Sequence, residues 1–218
     1  MKRLALLHTV LFLADMFKEL LPDRFPDLDS FHVVDEGLLQ DLLRHEGLTP
    51  NIVRRISGHA CLARDAGADL ILFTCTSTAP AVDTARAMVD IPILKIDDPL
   101  AEKAIELGRR IGVVCTASTT MGPSENLIKE HAAKHGKEVE VTVELDSEAF
   151  KAIMAGDKAE HDKRVKAAAG RMSDKSDVVV LAQASMAHLA PELNETLPVP
   201  VLASPDLCVD ALAKLLEA

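Results

Sequence analysis

Short apolar runs alternate along the chain with longer segments in which apolar residues recur every three or four positions. The short runs predict β-strands and the longer segments predict amphipathic helices. Strands that alternate with helices are typical of an α/β fold with parallel sheets, because each crossover between parallel strands is usually a helix. Eight strands are predicted, at residues 4–7, 31–34, 69–74, 92–96, 111–115, 139–143, 177–182 and 199–203.

The second half of the chain repeats the first at an offset of 108 residues. Segment 91–94 (IPIL) aligns with 199–202 (VPVL), and Asp69 aligns with Asp177. A repeated spacing across four strands indicates an internal duplication. We therefore predict two similar three-layer α/β lobes with parallel sheets, related by an approximate two-fold axis.

Ligands of open parallel sheets bind beyond the carboxyl ends of the strands. Two lobes that face each other would place both sets of strand ends in one cleft. The active site is expected in this cleft. The N-terminal lobe is predicted to comprise residues 1–97 with 205–218, and the C-terminal lobe residues 98–204.

Composition narrows the partners of the protein. Thirty-four acidic and 24 basic residues give a net charge of −10, and the chain has no Trp or Tyr. Neither a basic stripe nor an aromatic platform is present, so nucleic acid is not an expected partner.

No apolar run approaches the ~20 residues of a membrane span, which favours a cytoplasmic protein. No metal-ligand spacing or glycine-rich phosphate loop occurs, so we expect neither a metal nor a nucleotide cofactor. A homo-oligomer is compatible with the sequence.

Cys75 follows the predicted strand 69–74, in the hydroxyl-rich sequence TCTSTAP. Ser77 or Thr78 is expected to cap the next helix. This placement surrounds the thiol with hydroxyls and free N–H groups at a helix N-terminus, which predicts a lowered pKa. A buried core cysteine is the alternative. Thr76, Ser77 and Thr78 are predicted to bind substrate around the thiol.

A second hydroxyl-rich turn, CTASTTMGP, follows the strand at 111–115. It is predicted to begin a helix and to bind a carboxylate through its hydroxyls and N–H groups. The alternative to carboxylate binding is a helix start with several capping hydroxyls. Cys115 itself is expected to be a core residue. The predicted binding residues are Thr116, Ser118, Thr119 and Thr120.

The offset of 108 pairs Cys75 with Gln183, which cannot take a proton at neutral pH. We predict that the two side chains face each other across the cleft and that both take part in catalysis. His8, at the end of the first strand, is the third predicted catalytic residue. Further predicted binding residues at the strand ends are Asp35, Ala184 and Ser185.

Together these features resemble the aspartate/glutamate/hydantoin racemase superfamily over nearly the whole chain. The resemblance rests on the duplicated lobes, the TCTSTAP and GVVCTASTT turns, and the apolar strand with its small-residue turn near 177–187. It implies an enzyme that needs no cofactor and acts on a small carboxylate or amino-acid-like substrate. Racemases of this superfamily use one cysteine from each lobe as paired acid and base. Cys75 matches the first cysteine, and Gln183 stands in place of the second.

A single thiol still supports several reactions. It can transfer a proton at one face, protonate a product after decarboxylation, or add to an unsaturated acid. The predicted function is therefore isomerase- or lyase-type chemistry centred on Cys75. The alternative is a non-catalytic protein that binds small carboxylates on the same fold, which would tolerate Cys75→Ser.

Overall fold

The computed structural model describes residues 2–217, which divide into two compact units. The first unit comprises the residues up to Ile96 and a C-terminal segment from Leu212, and the second unit is Asp97–Ala211. Within residues 2–217, no helix combines the length and the apolar character that crossing a bilayer requires.

The first unit is built on a parallel sheet of four strands in the order β2-β1-β3-β4. A short 3₁₀ turn, Thr76–Thr78, connects β3 to the following helix. The elements are β1 (Arg3–His8), α1 (Leu11–Arg24), β2 (Asp29–Val34), α2 (Glu36–Arg44), α3 (Pro50–Asp65), β3 (Leu70–Phe73), α4 (Ala79–Arg86) and β4 (Ile93–Lys95).

The second unit repeats this arrangement with the order β6-β5-β7-β8, again all parallel. A 3₁₀ turn, Ala184–Leu189, follows β7. The elements are α5 (Asp98–Leu107), β5 (Arg110–Cys115), α6 (Ser118–Lys134), β6 (Glu140–Leu145), α7 (Ser147–Met154), α8 (Lys158–Ser173), β7 (Val178–Leu181), α9 (Ala190–Thr196), β8 (Val201–Ala203) and α10 (Ser204–Glu217), which crosses into the C-terminal segment.

The predicted α/β fold with two similar parallel sheets is confirmed, and strand pairing refines the alignment between them. Phe73 of β3 corresponds to Leu181 of β7, at the predicted offset of 108, but Leu7 of β1 corresponds to Val114 of β5, at an offset of 107. Val34 of β2 corresponds to Leu145 of β6, at an offset of 111. Connections of unequal length between equivalent strands cause these shifts.

The central strands are buried on both faces, as expected for parallel sheets covered by helices. β3 and β7 are buried throughout, whereas the edge strands β2 and β6 are half-buried. One apolar cluster packs β1 and β3 against α2, α3 and α4, and two further clusters lie in the second unit. The sheets therefore form a rigid base for the turns at their carboxyl ends.

Gly112, in the middle of β5, has no room for a side chain. A Cβ atom there would lie 2.5 Å from Ser176 Oγ and 2.9 Å from Met172 Cε. Because Met172 is fully buried, we expect Gly112→Ala to lower the free energy of unfolding by about 1–3 kcal/mol, measured by urea denaturation. Gly58→Ala is the matched control: its Cβ meets nothing within 4 Å in α3, so it should raise stability by about 0.5–1 kcal/mol. Equal stability of the two variants would contradict the expected overlap in β5.

Candidate functional site

Cys75 lies at the carboxyl end of β3, in the turn that leads to α4. It occupies the N-cap position of the 3₁₀ turn and keeps extended backbone angles (φ −118°, ψ 115°). Cys75 is partly exposed, whereas Thr76, Ser77 and Thr78 are buried. Part of the Cys75 residue is thus exposed, while the hydroxyl side chains of the turn lie beneath the surface.

The hydroxyl of Thr78 supports this turn and does not cap α4. Thr78 occupies the N-cap position of α4, but its side chain makes no capping hydrogen bond. Its Oγ1 donates instead to the carbonyl oxygen of Cys75, at 2.8 Å. The predicted place of the cap is correct, and the predicted side-chain bond is not formed because the 3₁₀ turn directs the hydroxyl back toward Cys75.

Burial raises the pKa of the Cys75 thiol above its ordinary value. Hydrogen bonds from the Thr9 hydroxyl and from the N–H groups of Thr78 and Ser77 lower the pKa but do not outweigh burial. The prediction of a lowered pKa is therefore wrong, because desolvation of a thiolate exceeds the gain from its donors. Burial also raises the pKa of Cys115, to about 12. Cys75 accordingly rests near neutral pH as a protonated thiol with donors ready for its anion.

Thr9→Val removes the hydroxyl donor and keeps the shape of the side chain. We expect the variant to raise the pKa of Cys75 further, because the thiolate loses one hydrogen bond. The pH dependence of iodoacetamide alkylation, followed by mass spectrometry of the Cys75 peptide, measures this. Thr84→Val, on the exposed face of α4, should leave the profile unchanged. A wild-type midpoint at or below pH 7, or identical profiles for all three proteins, would contradict the assignment.

His8 is buried and uses both of its ring nitrogens. Thr74 Oγ1 donates to the carbonyl oxygen of Leu7 at 3.1 Å. Because that hydroxyl proton is engaged, His8 Nδ1 donates to Thr74 Oγ1 at 2.8 Å, and His8 Nε2 accepts from His32 Nδ1 at 2.9 Å. Burial, together with His32 and Lys18, lowers the pKa of His8 to about 3. The ring is thus neutral and tied to the residue that precedes Cys75.

Asp35 begins α2, next to the end of β2, and is held by two cationic or polar partners. Arg55 Nη2 donates to its two oxygens at 2.6 and 2.8 Å, and His59 Nε2 lies 2.8 Å from Oδ2. Arg55 also binds Asp41, at 2.7 Å. Burial raises the pKa of Asp35, but the hydrogen bonds from His59 and Arg55 outweigh it and lower the pKa overall. Asp35 is therefore an anion whose acceptor sites are largely occupied.

A small cavity connects the Asp35 cluster with the donors to the thiol. Its volume is about 10 Å³, and its polar lining includes Asp35, His59, His8, Thr9 and Thr78. This volume holds about one water molecule. Asp35 and the hydroxyls of Thr9 and Thr78 therefore line the same cavity.

Gln183 lies in the corresponding turn of the second unit, at the N-cap position after β7. Its Oε1 accepts hydrogen bonds from the N–H of Thr116 at 2.6 Å, from the Thr116 hydroxyl at 2.9 Å and from the N–H of Ala117 at 3.2 Å. Backbone N–H groups only donate, so the atom that faces them is the amide oxygen. The Nε2 group is left as the donor that Gln183 can offer to another molecule.

Thr9 and Thr116 are equivalent residues of the two sheets, since β1 and β5 correspond at an offset of 107. In each unit this threonine hydroxyl bonds the residue at the end of the third strand: Thr9 the thiol of Cys75, and Thr116 the amide oxygen of Gln183. The duplication thus extends from the strands to the hydrogen bonds of the two turns.

The remaining predicted binding residues lie around these two turns. Ser118 is exposed at the start of α6, while Thr119 and Thr120 are buried in its first turn. Ala184 and Ser185 are half-buried and directly follow Gln183. Each unit therefore gathers its own predicted residues at the carboxyl ends of its strands. That Cys75 and Gln183 face each other across one cleft remains a prediction.

Sequence reasoning missed four residues of this site: Thr9, His32, Arg55 and His59. Thr9 could have been found, because it directly follows a strand-end residue. Arg55 and His59 are four positions apart and share one face of a helix, but no pattern marks that face as directed toward Asp35. His32 lies in a half-buried edge strand, where its neighbour across the sheet depends on the strand register.

A third polar cluster joins α8 to the turn after Gln183. Asp162 accepts from His161 Nδ1 at 2.8 Å and binds His188 Nε2 at 2.9 Å. Burial raises the pKa of Asp162, but the hydrogen bonds from His188 and His161 outweigh it and lower the pKa overall. Among residues 2–217, no group of three or more His, Cys, Asp or Glu side chains is placed to hold a metal ion.

The chain is similar in sequence to known racemases. The family model described as Asp/Glu/Hydantoin racemase matches residues 9–212. The glutamate racemase of Trichodesmium erythraeum (strain IMS101) is 39% identical over 54 residues, which are 24% of this chain and 20% of that enzyme. The chain thus matches about a fifth of the length of this relative.

Solved racemase structures share the fold at low sequence identity. Glutamate racemase from Francisella tularensis in complex with D-glutamate superposes with a TM-score of 0.75 at 16% identity, over 99% of this chain and 81% of that one. An aspartate racemase homologue from Pyrococcus horikoshii OT3 gives 0.71 at 19% identity, over 100% of both chains. Allantoin racemase from Klebsiella pneumoniae gives 0.70 at 16% identity, over 100% of this chain and 88% of that one.

Proposed function

Because the chain belongs to the Asp/Glu/hydantoin racemase family, we propose that it is an enzyme that acts on a small carboxylate without a cofactor. The reaction is of isomerase or lyase type and is centred on Cys75. The observation that carries this proposal is a half-buried cysteine at a strand end, whose thiol has hydrogen bonds from Thr9, Ser77 and Thr78. The proposed substrate site is the turn at Cys75, and Gln183 is proposed to contact the same substrate, as the sequence predicts.

The thiol moves a proton at one face of the substrate. In the forward direction the thiol first gives its proton to water, and the thiolate then takes the proton from the carbon next to the carboxylate. The C–H electron pair moves into the carboxylate to form an enediolate. The thiol then returns a proton to the same carbon. In the lyase variant the reacting carbon carries two carboxylates: one leaves as carbon dioxide, its C–C electron pair forms the same kind of enediolate with the other, and the thiol then protonates the carbon. A raised resting pKa suits this donation, and the Thr9, Ser77 and Thr78 donors stabilise the thiolate that follows.

Gln183 serves as a donor and not as a second base. Its oxygen is bound by Thr116 and Ala117, so its Nε2 group donates to a substrate oxygen and polarises it. An amide takes no proton at neutral pH. The enzyme therefore has one acid–base group where family racemases with two cysteines have two.

The other predicted residues bind or position. Turn 76–78 lies beside the thiol and is the proposed contact for the substrate, while the N–H groups of Ser77 and Thr78 bond the sulfur. The neutral ring of His8 positions Thr74. Asp35, through its bonds to Arg55 and His59, fixes the strand end next to the Cys75 turn. Turn 118–120 and residues 184 and 185, which lie around Gln183 in the second unit, are the other proposed substrate-binding residues.

A second function, a non-catalytic carboxylate-binding protein, is favoured by the glutamine in place of the second cysteine. Two measurements on a panel of small acids separate the alternatives. If the protein is an enzyme, binding of an acid raises its melting temperature. The protein also exchanges the α-proton of that acid for deuterium in D₂O, which NMR measures. Stabilisation by an acid without exchange or other turnover would identify a binding protein.

A further inference from the structure

We infer that a groove between α1 and β2 is a second binding site, for an uncharged ligand that combines an apolar ring with one hydroxyl donor. The groove lies in the first unit, where α1 packs against β2. The described residues that line it include none of those assigned to the proposed active site. The groove is therefore separate from the proposed reaction at Cys75.

The groove has the size and the lining of a site for a small molecule. Its volume is about 330 Å³, at the lower end of the range of ligand pockets, which suits a ligand with a single ring. Ser30 and His32 of β2 line it together, because alternate residues of a strand point to the same face. Its apolar lining comes from α1 and from the connection to β2, and consists of Phe17, Leu21, Pro22, Phe25, Pro26 and Leu28.

His32 offers a hydrogen-bond acceptor at this groove. Thr74 Oγ1 donates to the carbonyl oxygen of Leu7, so His8 Nδ1 donates to Thr74. His8 Nε2 then accepts from His32 Nδ1, at 2.9 Å. The proton of the His32 ring is therefore on Nδ1, and Nε2 carries a lone pair. Nε2 is not buried, and within residues 2–217 it has no hydrogen-bond partner.

The His32 ring is neutral, so its Nε2 accepts and does not donate. Burial, together with Lys18, lowers the pKa of His32 below its ordinary value, and the opposing effect of Asp15 is smaller. A neutral imidazole nitrogen with a lone pair pairs with an O–H group, and an ether or a carboxylate oxygen has no proton to give it. The open acceptor therefore selects a ligand with a hydroxyl donor.

The charges around the groove favour an uncharged ligand. Lys18 is the one charged side chain among the described residues that line the groove, and its Nζ lies 3.3 Å from Asp15 Oδ1. Segment 15–29 carries five acidic and two basic residues, so an anion in the groove would meet net negative charge. A cation would lie against apolar walls beside Lys18, without a carboxylate in the lining, which carries a desolvation cost. Charge of either sign therefore weakens binding.

Three ligands with a common 4-ethylphenyl group test the hydroxyl donor and the charge. 4-Ethylphenol has the donor, 4-ethylanisole has a methyl group in place of the donor proton, and 4-ethylbenzoate is an anion. By isothermal titration calorimetry at pH 7, 4-ethylphenol should bind about three- to tenfold more tightly than the other two. His32→Leu removes the acceptor and keeps an apolar side chain, so it should bind 4-ethylphenol and 4-ethylanisole equally. Ser30→Ala, the matched control in the same groove, should keep the wild-type preference.

Nitrogen-15 NMR of the histidine rings tests the same contact in the wild-type protein, without depending on the folding of His32→Leu. Addition of 4-ethylphenol should shift the Nε2 resonance of His32 upfield, because this nitrogen gains a hydrogen bond. The resonances of His45, at an exposed position after α2, should stay unchanged. Cys75→Ser should bind 4-ethylphenol as the wild type does, since the thiol is not part of the groove.

Several results would overturn this second site. Equal affinity of the three ligands for the wild type, tighter binding of 4-ethylbenzoate, or no binding at all would each contradict the ligand class. An unshifted Nε2 resonance of His32, or loss of the preference in Ser30→Ala and not in His32→Leu, would contradict the role of His32. Loss of 4-ethylphenol binding in Cys75→Ser would place the ligand at the strand-end thiol, which would overturn the second site and leave the proposed function intact.

Discussion

Cys75→Ser should lower the rate of α-proton exchange by at least about a thousandfold while the dissociation constant of the acid changes only a few-fold. A serine hydroxyl in this turn keeps the geometry but is far less acidic than a thiol, so proton transfer is lost and binding remains. NMR in D₂O measures the exchange, and calorimetry measures the binding.

Cys61→Ser is the matched control for this prediction. Cys61 lies on α3 and is partly exposed, as Cys75 is, but it has no part in the strand-end turns. The control should exchange at the wild-type rate. If Cys75→Ser kept more than about a tenth of the wild-type rate, proton transfer by this thiol would be wrong.

Acid should destabilise the fold through His8. The folded pKa of about 3 lies below the ordinary value of 6.5, so the unfolded chain takes up a proton that the folded chain refuses. Stability is therefore complete above pH 6.5 and falls as the pH decreases toward 3. Between pH 7.5 and 5.0 the free energy of unfolding should drop by about 2 kcal/mol. His32, whose pKa is also lowered, mainly by burial, contributes in the same direction.

Urea denaturation of His8→Gln at the two pH values tests this prediction, because pH 5.0 lies above the range in which most carboxyl groups titrate. The variant should lose much of the pH dependence, although the part that belongs to His32 remains. His45→Gln, at an exposed position after α2, should behave as the wild type does. An equal pH dependence of wild type and His8→Gln would show that His8 is not the group responsible.

The architecture could be predicted from the sequence because it depends on local patterns. Buried runs such as 70–73 and 178–181 are apolar throughout, which is typical of central parallel strands. The position of Cys75 at a strand end followed from the same pattern, because the residue directly after an apolar run has few alternative places.

The electrostatics of the site could not be predicted in this way. Hydroxyl and N–H donors around Cys75 are visible in the sequence, but the burial that outweighs them depends on how the turn packs in three dimensions. The bond between Thr116 and Gln183 joins residues 67 positions apart. A single offset of 108 also concealed the equivalence of Thr9 and Thr116, because β1 and β5 correspond at 107.

In the proposed reaction, one thiol transfers a proton at one face of a small carboxylate. Incubation of a single enantiomer of an accepted acid with the wild-type protein in D₂O, followed by chiral chromatography with mass detection, tests it most directly. With one thiol as the acid–base group, the deuterated acid should accumulate with its configuration retained, and little or none of the opposite enantiomer should form. Formation of the deuterated opposite enantiomer as fast as the retained one would contradict it, because a second acid–base group would then act on the other face.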